Sequence, residues 1–205
     1  MKSQADQLLE GAIDLHCHGY PEITFDVKMR VEDLEAARLA AQAGMKGFVL
    51  KSHLWPTVGR VYQMKDRIQG VEVWPSLAIN TSSGGFHPWI VESALRQGVK
   101  VVWMPTWSAR NDIQRGGFSR LMKGWLKTIE PMTPEDGLTI LDGAGKVEPR
   151  VLDVLALAKE YDVAVFTGHL SPEECLALGR ACRAMGLKKL IFCHPDSRAV
   201  GAQME

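Results

Sequence analysis

Short apolar runs rich in valine, isoleucine and leucine alternate along this chain with longer amphipathic stretches. Parallel strands buried on both faces and joined by crossover helices give that pattern, so the class is α/β. Strands are predicted near Ala12–Leu15, Gly47–Leu50, Glu72–Leu77, Lys100–Met104, Val163–Thr167 and Lys189–Cys193. Glycine and proline punctuate the intervals. Val31–Ala43 stops at Gly44, the helix opened by Pro88 stops at Gly98, and Ser171–Met185 stops at Gly186. Ser171, Pro172, Glu173 and Glu174 read as a capping box, with Ser171 accepting from the Glu174 amide and Glu174 reaching back to the cap. That helix therefore begins directly after Gly168, His169 and Leu170, which places His169 at a strand-to-helix junction.

The spacing breaks between the fourth and fifth strands, and residues 107–148 read as an insertion in a single domain spanning 1–205. Trp107–Met132 holds a glycine pair and an amphipathic segment, Phe118–Ile129, expected to be a lid or an oligomer contact. A small hairpin, Leu138–Leu141 against Lys146–Val147, is predicted around Asp142, Gly143, Ala144 and Gly145, ahead of a helix starting near Pro149. A complete (β/α) barrel of the TIM type has eight strands and roughly 250 residues. With 205 residues and six predicted strands, this chain is expected to form an incomplete TIM-type (β/α) barrel, short of about two units. Either the chain is part of a longer protein, or the open sheet edges are covered by a helix, a loop or another subunit. A homo-oligomer is expected.

Composition narrows the function classes. At 46% hydrophobic and 23% charged, the chain has the apolar material for one well-buried domain. Lysine plus arginine number 24 and aspartate plus glutamate also 24, with no basic run, so nucleic acid is not an expected partner. The segment MKSQADQLLEGAIDLHCHG has no long apolar core or small-residue cleavage site, and no stretch approaches a membrane span; a cytoplasmic protein acting on a small molecule is expected. Cys17, Cys175, Cys182 and Cys193 form no CxxC pair and are expected to be free, mostly buried thiols.

All six histidines, His16, His18, His53, His87, His169 and His194, fall at or just beyond the carboxyl end of a predicted strand, where parallel α/β folds place their chemistry. In Asp14-Leu15-His16-Cys17-His18, period-two alternation sends Asp14, His16 and His18 to one face. Alone, such a pair is equally a polar strand end with satisfied hydrogen bonds. Thr167-Gly168-His169 and Phe192-Cys193-His194-Pro195 change that reading by repeating the arrangement on adjacent strands. His16, His18, His169 and His194 then supply four imidazoles for a divalent ion, zinc foremost, with manganese or iron as alternatives. Asp14, one layer below His16, is expected to accept the second ring proton of His16 and fix its tautomer.

At the second strand, Lys51 and His53 share a face. Lys51 is expected in the barrel mouth, holding substrate charge or bridging two ions if carbamylated; His53 is a ligand or a substrate contact. His87 directly precedes Pro88 and is read as a structural residue at a helix cap. The Ser82-Ser83-Gly84-Gly85 stretch offers amides for an anion but is a weak signal. Asp196 can orient a ligand, take a proton from an activated water, or cap a helix. Trp103, Met104 and Trp107 either line a pocket for a partly hydrophobic substrate or pack in the core.

DLHCHG after the first strand, a later GH and an HP at strand ends resemble the amidohydrolase superfamily of metal-dependent hydrolases. More narrowly, DLHCHG, FVLKSH, GGFHPWIVESALRQG, VVWMPT, TGHLSPEE and FCHPDS together resemble an uncharacterised domain family within it, over nearly the whole chain. The resemblance implies a distorted barrel with one or two divalent metals, in which His16 and His18 match the HxH, His169 the fifth-strand histidine and His194 the sixth-strand histidine. It implies hydrolysis of an amide, lactone or cyclic amide by a metal-activated water, with phosphoester hydrolysis as the alternative on the same scaffold. Two departures stand out. The superfamily's bridging lysine usually ends the fourth strand, whereas Met104-Pro105-Thr106 stands there and the lysine is Lys51; its last-strand catalytic aspartate has no counterpart. A catalytically impaired metal-binding or scaffolding protein is therefore the competing expectation.

Overall fold

In the computed structural model, which describes residues 3–202, the apolar runs form β1 (Ile13–His18), β2 (Gly47–Lys51), β3 (Glu72–Ala78), β4 (Val101–Trp103), β5 (Ala164–Phe166) and β6 (Leu190–Ile191). All five pairings are parallel and the strands lie in sequence order, β1 to β6. The sheet is curled: the rings of His16 on β1 and His194 just past β6, at opposite ends of the strand order, are 4.8 Å apart. A six-strand parallel half-barrel is the result, the architecture of an incomplete (β/α) barrel.

Strand alternation sorts the core into layers. Val49, Ala78, Val101, Trp103, Phe166 and Cys193 pack together inside the curl. Alternate residues face the helices: Leu77, Val102 and Val165 join Val91, Leu95, Val154, Leu155 and Leu178 in the largest apolar cluster, and Phe48 and Leu50 pack with Ala37, Ala40 and Met64. The covering helices are α2 (Asp33–Gln42), α3 (Val58–Met64), α4 (Pro88–Arg96), α7 (Pro149–Glu160) and α8 (Pro172–Met185), preceded by a short α1 (Gln4–Leu9). Ser171 and Glu174 cap α8 reciprocally, as the sequence predicts, a motif whose loss costs about 1 kcal/mol. Glu174 Oε1 also accepts from Thr139 Oγ1 and the Ile140 amide, so the same carboxylate ties down the segment before α7.

The insertion is more helical than expected. It contains α5 (Arg110–Arg115), α6 (Phe118–Trp125) and 3₁₀ turns at Lys127–Ile129 and Pro134–Asp136. The expected hairpin reduces to a single antiparallel bridge, Leu141 to Val147, closed by Asp142 Oδ1 accepting from the Ala144 and Lys146 amides. The four cysteines are free thiols, three buried and Cys17 half-buried. Among the described residues no helix is long and apolar enough to cross a membrane.

Candidate metal centre

β1 carries the first departure from simple alternation. Asp14 pairs with Phe48 and Cys17 with Leu50, so β1 spends one residue more than β2 between these points. Such a bulge re-aims the side chains that follow it. Asp14 therefore sits in register with the outward-facing Phe48 while His18 pairs with Lys51. The expected contact of Asp14 with the His16 ring does not form: Asp14 is exposed, and its Oδ1 accepts from the His16 backbone N–H at 2.8 Å.

Five of the six histidines converge at the carboxyl end of the sheet. A cavity of about 370 Å³ is lined by His16, His18, Lys51, His53, His169 and His194 together with Glu22 and an apolar wall of Ile23, Met29, Phe118 and Trp125. His16 Nε2 lies 3.1 Å from His18 Nε2 and 3.0 Å from Lys51 Nζ. His194 closes the group from β6 with a left-handed φ of 43°, an arrangement that costs a non-glycine residue about 1 kcal/mol or more and recurs at functional sites. A larger groove, about 520 Å³, lies between α3, the start of β3 and the end of α4; its lining is chiefly aliphatic and holds no imidazole.

Buried partners orient the rings. His53 Nδ1 pairs with Thr106 Oγ1 at 2.9 Å, and Asn80 Nδ2 donates both to that hydroxyl and to the His53 carbonyl, which also accepts from Trp107 Nε1. His169 Nδ1 donates to Asp112 Oδ2 at 2.7 Å, leaving Nε2 as the lone-pair nitrogen. Gly168 makes the approach of His169 possible: at φ 58° it sits where a Cβ would fall 2.3 Å from the Met104 carbonyl oxygen, and His169 N donates to the Pro105 carbonyl.

Burial also keeps four of these imidazoles neutral. It lowers the pKa of His16 to about 2 and that of His194 to about 4, and holds His53 and His169 below the usual value. Neutral imidazole is the form that binds a metal. Lys51, 1% exposed, is pulled down to about 8 by the same burial.

The donor set fits a divalent cation. Nδ1 of His18 comes within 3.3 Å of Glu22 Oε1 without making a hydrogen bond, and Glu22 Oε2 is likewise buried without a hydrogen-bond partner, 3.6 Å from Arg60. Ligand atoms of His18, Glu22 and His53 all lie within 4.8 Å of one another. Arg60 offsets the charge at Oε2 and the His53 amide meets Oε1, which leaves His18 Nδ1 as a buried nitrogen of this group without a hydrogen bond. Sequence reading missed Glu22; its only signal was a carboxylate four residues past His18, in a loop rather than on a strand. Asp112, Thr106 and Asn80 were missed too, each lying outside the histidine motifs. Of the expected site residues, Asp196 alone stays out of the cavity, exposed beyond His194. His87 lies apart at the start of α4, its side chain making no cap hydrogen bond. Trp103, Met104 and Trp107 are core residues rather than cavity wall.

A family described as a family of unknown function, DUF6282, matches residues 11–205. No curated protein matches the chain significantly.

Proposed function

The chain belongs to the DUF6282 family, and we propose that it is a metal-dependent hydrolase of the amidohydrolase type, acting on a small uncharged carbonyl compound such as an amide, lactone or cyclic amide. One observation carries the reading: neutral histidines from four strand ends converge with Lys51 and the buried Glu22 on a cavity walled on its other side by apolar groups. His16, His18, His169 and His194 would hold a divalent ion, zinc foremost, and Glu22 and His53, whose ligand atoms lie within 4.8 Å of that of His18, would add to its donors. When bound, the ion supplies Lewis acidity to a carbonyl oxygen and acidifies a water to a pKa near roughly 7.

The protein's own side chains set the rest. Lys51 Nζ, held beside His16 and over the Trp103 face, places positive charge where the substrate oxygen gains negative charge. Ile23, Met29, Phe118 and Trp125 bind an alkyl or aryl substituent and exclude water. Glu22 is the one carboxylate among the cavity's lining residues and serves as its anionic donor, while the exposed Asp196 is not placed for an acid–base part. A phosphoester is less favoured, because Lys51 is the single lysine or arginine on the lining.

The test is a hydrolysis screen of small amides, lactones and phosphoesters with zinc- or manganese-loaded protein. Turnover of a neutral carbonyl substrate that is lost on chelation supports the proposal. Metal uptake without turnover of any class favours the binding or scaffolding alternative.

A further inference from the structure

Asp112 is fully buried, and its carboxylate serves two elements at once. Oδ2 accepts from His169 Nδ1 at 2.7 Å and from the Phe118 amide at 3.0 Å, while Oδ1 accepts from the Ser119 amide at 2.7 Å. Phe118 and Ser119 are the first two residues of α6. One oxygen therefore holds both a ring that lines the cavity and the opening amide of the helix above it. Gly117 permits the contact, since a Cβ there would fall 2.5 Å from Asp112 Oδ2. The neighbouring Asn111 grips the same histidine from behind, donating from Nδ2 to the His169 carbonyl at 3.0 Å.

What α6 carries makes this junction consequential. The Phe118 ring stacks on His53 with centroids 4.2 Å apart, and Trp125, at the far end of the helix, also lines the cavity. We infer that Asp112 is a positioning residue that couples the seating of α6 over the cavity to the grip of His169 on a divalent ion. This rests on the metal-centre reading above. When His169 Nε2 gives its lone pair to a cation, Nδ1–H becomes a stronger donor and the buried Asp112 charge is better compensated. Opening α6 removes two amides from that carboxylate and leaves a buried charge with one donor fewer on each oxygen. The two events must then favour each other by the same factor, because coupling between sites is reciprocal.

The test uses the full chain with zinc as the probe. Amide hydrogen exchange across residues 117–126 is followed with and without zinc, beside competitive zinc titrations, in the parent, Asp112→Asn and Ser119→Pro. Ser119→Pro deletes the amide that Oδ1 accepts, together with the hydroxyl's bond to the Asp112 carbonyl, within the first turn of α6, where the amide makes no helix hydrogen bond, and keeps the Asp112 carboxylate and His169. Zinc is expected to slow exchange across α6 about tenfold in the parent. Asp112→Asn should weaken zinc binding about ten- to a hundredfold and Ser119→Pro by about three- to tenfold, with the zinc-dependent slowing reduced in both. Zinc uptake by the parent with exchange across 117–126 unchanged overturns the coupling and leaves the metal centre standing, as does undiminished zinc affinity in folded Ser119→Pro. A parent that takes up no zinc overturns both. If Asp112→Asn fails to fold, the parent and Ser119→Pro decide the matter on their own.

Discussion

Lys51 Nζ lies 3.0 Å from His16 Nε2. Its ammonium is also 4.2 Å above the Trp103 ring, so the lysine ends its path through the half-barrel against an imidazole and an indole face. Burial lowers its pKa to about 8, against the negative charge of Glu22, which pulls the other way. A lysine so placed is costly to the fold and useful to chemistry on an electron-rich oxygen.

Lys51→Met separates those two effects. Methionine keeps most of the side-chain length without a charge to desolvate, so the melting temperature of the metal-free protein should hold or rise. Turnover of a carbonyl substrate should fall about a hundredfold, as when a charge-stabilising donor is lost elsewhere. Thermal unfolding and kcat/KM on one substrate check both halves; an active Lys51→Met protein removes Lys51 from the proposed chemistry.

Glu22→Gln should weaken metal binding about ten- to a hundredfold, because it neutralises the carboxylate between His18 and His53 while keeping its shape. Competitive titration with a zinc chelator measures this. The backbone N–H of His53, which donates to Glu22 Oε1 at 2.6 Å, retains an acceptor in the glutamine, so the fold should persist by circular dichroism.

Acid should destabilise the metal-free protein well before carboxylates titrate. An unfolded imidazole takes up a proton near 6.5, whereas folded His16 and His194 resist until about 2 and about 4, and His53 and His169 are lowered as well. Below pH 6.5 the unfolded chain therefore binds more protons than the native one, and stability is lost as pH falls toward the folded values. Melting temperatures of chelator-stripped protein at pH 7.5, 6 and 5 should descend in that order. A flat series would mean that the rings are not buried as described.

Phe118→Ala removes the ring that stacks on His53. For a substrate with an aryl substituent, KM should rise by about two- to tenfold, with a smaller change for a methyl-substituted analogue. Equal effects on both would place the substituent elsewhere.

Much of the fold was legible because strand alternation and helix caps are local signals. The predicted strands and the Ser171 box rest on residues a few positions apart, and they recur in the structure with small shifts at the ends. The histidines converge because parallel strands deliver their end residues to one mouth whatever the loops do. The failures are non-local or one-residue events. The bulge in β1 turned Asp14 out of register with His16, and nothing in the alternation of DLHCH announces an extra residue. Asp112 reaches His169 across 57 positions from within an irregular insertion, and Glu22 arrives from a loop, so neither belongs to a periodic pattern. Asp196 looked plausible only because it follows His194 by two residues; an exposed turn carries it away from the cavity.

Converging histidines that hold a metal ion should carry it through purification, where elemental analysis detects it. Protein purified without chelator is compared with a His16→Ala, His18→Ala double variant whose fold is checked by circular dichroism. Near-stoichiometric zinc, manganese or iron is expected in the parent, with its loss from the folded double variant. A parent that remains metal-free after reconstitution, or a double variant that binds the ion as tightly as the parent, would contradict metal binding by these histidines.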